Sequence, residues 1–202
     1  MLWKTLWLQN IVKNIKMQIQ QDNKKILDDI TAVENLIASR IKENKIKAII
    51  IHRVDKGSVS SGIFSDYLIE KSGAKNPIKN ISGNKINIED IYKSDPDIIY
   101  ISNFIPLMPS DLLESKEWKN IKAVKEGRVY KLPLATYRPF APSLDLAPTL
   151  MFLAQKNYPN IFKDISIKEV YQKHFLQHFG IPLEEEDLHK ILNPSPNAGI
   201  LN

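Results

Sequence analysis

Residues 118–145, WKNIKAVKEGRVYKLPLATYRPFAPSLD, decide how this chain reads. The run 128–132 has strand composition, is entered through a turn at Gly127 and is left through Pro133. A loop follows in which Tyr137, Arg138 and Phe140 stand among Pro139 and Pro142. Two aromatics and a guanidinium at the C-terminal end of a strand, stiffened by prolines, make a polar-aromatic rim suited to an anionic or planar ligand. The same residues would also serve as an ordinary strand-to-helix connection whose aromatics cap the core.

Upstream, two more strand–loop units match this one. Residues 45–51, KIKAIII, form an apolar strand-type run that gives way to a polar loop at 52–57, HRVDKG. Residues 58–72 carry helical periodicity through Ile63, Phe64, Tyr67 and Leu68 and stop at Ser72-Gly73. After a turn-rich segment at 75–85, Asn87 is placed to cap a short helix over 86–92, with Glu89 and Asp90 near its positive end. Asp95-Pro96-Asp97 then launches a buried-type strand at 98–102, and Asn103, Phe104 and Pro106 form the loop behind it. A helix is expected over 110–122, with Trp118 and Ile121 turned inward.

Beyond the opening stretch, residues 143–158 read as a helix bent by Pro148. Residues 164–179 read as another, opened by Ser166 with Glu169 three on and closed by Gly180. At the other end of the chain, apolar residues from Leu8 to Ile41 recur at three, four or seven without proline or glycine. They predict one helix over 8–44, roughly 50 Å long and so longer than a small domain is wide. Such a helix packs only partly on its own domain and leaves an apolar face for another partner.

Strands alternating with helices predict an α/β fold: a three-layer lobe with a largely parallel sheet, preceded by a long helix. The divisions are residues 1–44 for the helix, 45–182 for the lobe, and 183–202 for an acidic turn and frayed tail. Ligands of such sheets sit outside the carboxyl ends of the strands. The three loops leaving those ends carry His52 and Arg53, Asn103 and Phe104, and Tyr137, Arg138 and Phe140.

Composition narrows the chemistry. The net charge of +5 comes from scattered lysines, with no basic run interleaved with aromatics, which argues against nucleic acid. With no cysteine, disulfides, thiolate metal sites and cysteine nucleophiles are excluded together. No glycine pattern fits a dinucleotide or phosphate loop, and no GxSxG elbow offers a hydrolase nucleophile, so an enzyme is not expected. No apolar run is long enough for a membrane span. MLWKTLWLQN is broken by Lys4 and Thr5 and does not read as an export signal. His174 and His178 stand four apart, but without the HExxH glutamate or a third ligand they read as structural.

Several phrases then resemble one family in order and spacing. SDPDIIYI at 94–101, Trp118, AVKEGRVY at 123–130 and YPNIF at 158–162 resemble the C-terminal lobe of class III periplasmic substrate-binding proteins of ABC transporters. SGAKN at 72–76 is similar to the GGxN that ends that lobe's first helix. YRPFAPSLD resembles a YRWYxPSSD loop in a subgroup for iron or other metal chelates. The resemblance spans about residues 20–180.

It implies two lobes joined by one long helix, with a small-molecule metal chelate, such as a ferric or nickel complex, bound in the cleft between them. The chelate would be cargo rather than a resident cofactor. Residues 8–44 resemble the interlobe helix, and Glu89 falls where the family places a glutamate that contacts the permease. The implied location is periplasmic. A full member has an N-terminal lobe, which this chain does not show. His52, Arg53, Asn103, Phe104, Tyr137, Arg138 and Phe140 are the expected ligand-binding residues, with His52 a candidate to complete a metal's coordination sphere. The alternative is an assembly domain that dimerises through its long amphipathic helix.

Overall fold

The computed structural model describes residues 23–42, 45–55, 58–60, 64–78, 85–139 and 143–200. Its centre is a parallel sheet of β1 (Ala48–Ile51), β5 (Ile98–Ile101) and β6 (Val129–Lys131), in the order β1-β5-β6. The sequences AIII and IIYI are apolar at every position because both faces of these strands are covered. Ala48, Ile50, Ile98 and Tyr100 join one buried cluster, and Ile49, Ile51, Ile99 and Ile101 join the other.

Helices form the outer layers. On one side lie α1 (residues 23–40), α2 (Ser65–Lys71), α6 (Leu146–Asn157), α7 (Ile167–Phe179) and α8 (Glu185–Leu192). On the other lie α3 (Ile88–Ser94), α4 (Pro109–Leu113) and α5 (Lys122–Lys125). The architecture is thus the three-layer α/β lobe behind a helix that the sequence predicts. The part of the expected 8–44 helix before residue 23 lies outside the described residues.

The DPD phrase works as a joint. Asp95 ends α3 in the left-handed conformation (φ 41°) and accepts the Lys122 N–H at 2.9 Å. Asp97 accepts the Lys47 N–H at 2.7 Å and the Lys122 ammonium at 2.7 Å. Burial alone would raise its carboxyl, but these donors hold it below its ordinary value. One tripeptide therefore fixes the starts of β1, β5 and α5. SGAKN works similarly. Gly73 (φ 84°) closes α2, and a Cβ there would collide with Cδ1 of Ile41, so α2 ends flush against the chain leaving α1. Tyr158 and Asn157 then reach back to bond the carbonyls of Gly73 and Ser72.

Several local expectations are corrected. The polar run after β1 is not a loop but β2 (Arg53–Asp55). It pairs antiparallel with β3 (Ser58–Ser60), which pairs with β4 (Lys85–Asn87) to make a second small sheet. The helix expected from residue 58 begins only at Ser65, because backbone pairing of β3 outweighs a weak apolar period. The helix expected over 110–122 splits at a turn around buried Trp118, where the Tyr92 hydroxyl donates to the Glu117 carbonyl. Pro148, expected to bend this helix, falls in the first turn of α6, where its missing N–H has no intrahelical acceptor to lose. The segment expected to fray carries α8, with Leu188 and Ile191 buried.

Candidate functional site

Register decides what the strand ends present. Ile51 pairs with Ile101 and Ile101 with Lys131, so the three strands finish level. The ladder continues one step: Ser102 N–H donates to the Ile51 carbonyl and Leu132 N–H to the Ile101 carbonyl, each at 2.9 Å. The segments that leave the sheet at His52, Ser102 and Leu132 therefore start side by side on one edge.

Four of the expected residues meet there. The rings of His52 and Phe104 lie edge to face with centroids 4.7 Å apart. The Arg138 guanidinium stacks 3.9 Å from the Phe104 centroid and donates to the Tyr137 hydroxyl at 2.8 Å. Tyr137 is 44% exposed, and Arg138 is half-buried. Arg53, the first residue of β2, is exposed. Burial, and then the positive charges of Arg53 and Arg138, hold the His52 imidazole below its ordinary value, so the ring is neutral at neutral pH. The edge thus joins fixed positive charge, aromatic faces and a neutral imidazole.

Two expected residues do not join on these terms. Asn103 is fully buried, and its amide donates to the Leu132 carbonyl at 3.0 Å. It ties the loop after β5 to the end of β6 rather than facing solvent. Phe140 lies outside the described residues. Glu89 is exposed in the first turn of α3, where Asn87 caps the helix and Asp90 returns the bond.

Residues outside the expected ligand-binding set hold the rim in place. The Ser102 hydroxyl lies 3.3 Å from His52 Nδ1 and accepts the Phe104 N–H at 3.4 Å, linking two loops. Asp145 closes the rim loop on itself by accepting both the N–H (2.8 Å) and the hydroxyl of Thr136. His174 Nε2 stands 3.3 Å from its other oxygen. Burial would raise the Asp145 carboxyl, but His174 and Thr136 hold it below its ordinary value. This explains the aspartate that ends YRPFAPSLD. His178 pairs instead with Asp29 of α1 at 2.7 Å. Among the described residues no group of three or more side chains is placed to hold a metal ion.

A cavity of about 490 Å³ lies elsewhere, along the flank of β6 between Met108, Tyr130, Lys131, Phe152 and Lys156. None of the rim side chains lines it. Among the described residues no helix is long and apolar enough to cross a membrane.

Comparison with known proteins places this geometry in context. Residues 18–136 match a family model described as periplasmic binding protein. The molybdate-binding protein MolA of Haemophilus influenzae is 28% identical over 130 residues, covering 60% of this chain and 36% of that protein. A periplasmic solute-binding protein of Veillonella parvula superposes with a TM-score of 0.72 at 29% identity, over 84% of this chain and 54% of that one. CeuE of Helicobacter pylori, solved as a nickel–histidine complex, superposes with a TM-score of 0.66 at 29% identity, over 84% and 55%. The chain thus covers 36% of its curated relative and little more than half of these structural ones.

Proposed function

The chain belongs to the periplasmic binding protein family of ABC transporters, and from that premise we propose that it forms the C-terminal lobe and interlobe helix of a substrate-binding component. Its cargo is a small ligand that presents anionic oxygens, either a carboxylate-bearing metal chelate or an oxyanion. The observation that carries this reading is the meeting of His52, Phe104, Tyr137 and Arg138 on one edge of the parallel sheet. A guanidinium already stacked on a ring offers charge with little side-chain freedom left to lose on binding. Relatives named for molybdate and for a nickel–histidine complex bind ligands that such an edge suits.

The test is titration of the chain with molybdate, nickel–histidine and ferric siderophores, followed by tyrosine and tryptophan fluorescence. Saturable binding of at least one is expected. Arg138→Ala should weaken it by about tenfold to a hundredfold, the scale of a lost charge-assisted hydrogen bond. A folded chain that saturates with none of them would remove the reading. We assign the exposed Glu89 to contact with the permease. Charge reversal by Glu89→Lys should weaken permease binding about tenfold while leaving ligand titration unchanged.

A further inference from the structure

The rim has a fourth neighbour in the segment after α8. Leu134 N–H donates to the Ile191 carbonyl at 2.8 Å, and Pro194 is buried, so the chain leaves α8 anchored beside the end of β6. Two successive turns follow, closed by Ala198 N–H to the Ser195 carbonyl (3.1 Å) and Ile200 N–H to the Asn197 carbonyl (3.2 Å). They deliver Gly199, at φ 84°, to the strand ends. A Cβ there would stand 3.1 Å from Arg138 Cγ, 3.1 Å from the Asn103 carbonyl oxygen and 3.2 Å from Asn103 Cβ. The conformation would strain an ordinary side chain, and the space would admit one only if the Arg138 stem or Asn103 gave way by a few tenths of an ångström.

The space such a Cβ would need is bounded by the aliphatic stem of Arg138, whose guanidinium lies over Phe104. We propose that the turn at 195–200 is a working part of the binding rim, and that Gly199, by letting bare backbone approach the Arg138 stem, positions that side chain so that the guanidinium stays stacked on Phe104 and directed to the anionic oxygens of a ligand. This rests on the reading of the rim given above. The reasoning is one of freedom. An arginine anchored only at its head keeps many stem rotamers, whereas backbone laid on the stem removes them before a ligand arrives.

Gly199→Val and deletion of residues 197–202 test this with two readouts, and circular dichroism checks that each variant folds. The first needs no ligand: ¹⁵N relaxation of the Arg138 side-chain Nε–H and its ring-current shift from Phe104. In the full chain the Nε–H is expected to be ordered and shifted upfield. In both variants it is expected to become mobile and to lose most of that shift. An Arg138 signal as ordered and as shifted in both variants as in the full chain would overturn the proposal. The second readout is affinity for molybdate and for nickel–histidine, with a loss of about tenfold expected in each variant for whichever probe the full chain binds. Equal or tighter binding by the variants would also overturn it, since the turn would then be a cover and not a support. If the full chain binds neither these probes nor the ferric siderophores, the ligand reading falls while the relaxation experiment still decides the role of the turn.

Discussion

At the scale of single residues, two buried charges predict stability that rises with pH, one in the acid range and one in the alkaline range. Asp145 is held below its ordinary value by His174 and Thr136 against the pull of burial, so its charged form stabilises the folded state. That contribution is complete above the unfolded value near 3.9 and is lost as pH falls through the lower folded value. Asp145→Asn should cost about 1–3 kcal/mol at pH 7. In urea denaturation the gap to the parent chain should narrow in acid, and a gap as wide at pH 3 as at pH 7 would refute the assignment. Lys131 is the converse. Burial lowers its ammonium from 10.5 to about 8 although it donates to the carbonyls of Ile105 and Leu107. Its charged form is disfavoured in the folded state, so stability should rise as pH climbs from about 8 to about 10.5. Lys131→Met should remove that part of the rise, read as the difference between the two pH profiles of the urea midpoint.

Residue-level legibility followed the same division between local and tertiary causes. His52, Phe104, Tyr137 and Arg138 could be placed together because each follows a parallel strand, and parallel strands that end level bring their loops together. Asn103 looked equivalent in sequence, yet its amide is taken up by the Leu132 carbonyl. Nothing local distinguishes an asparagine that faces outward from one that bridges two strand ends. Asp145, Thr136 and Ser102 do their work through partners that only the fold supplies.

Among the elements, those with a strong local signal were read correctly. Asn87 caps α3, Ser166 caps α7, and Gly180 closes α7 at φ 67°. The hairpin was missed because β2, β3 and β4 have three residues each, RVD, SVS and KIN, too short and polar to show a period. The turn at 195–200 was missed because proline and glycine announce a break but not where the chain docks next. Gly73 is the clearest element-level test. Gly73→Ala meets both a left-handed backbone and Cδ1 of Ile41, and should cost more than about 1 kcal/mol. At this chain length each kcal/mol lowers Tm by about 2–4 °C. Adding Ile41→Val removes the colliding methyl group, so the double variant should recover part of the loss. Strict additivity would show that the close approach of α2 to Ile41 carries no energy.

For the whole molecule, the question is how much of α1 belongs to this lobe. Arg40 forms two bonds to the Asp164 carboxylate at 2.7 and 2.9 Å, Glu34 bonds both Tyr67 and Lys71, and Asp29 bonds His178. These fix one side of the helix along its described length. Its apolar positions are covered unevenly: Ile37 is 2% exposed, Ile26, Ile30, Val33 and Leu36 are half-buried, and Leu27 is 62% exposed. The chain spans little more than half of the structural relatives it matches, so under the proposed reading this side is free to meet a further part of such a protein. Two substitutions on one helix then separate the roles. Ile37→Ala should cost roughly 2–5 kcal/mol, the price of a cavity in the core. Leu27→Glu should cost less than about 0.5 kcal/mol in urea denaturation. If the exposed side is sticky in this chain, sedimentation will be concentration-dependent, and Leu27→Glu will reduce that dependence without moving the melting temperature. A large stability loss at Leu27 would mean that this side is already covered within the lobe, leaving no face for such a part.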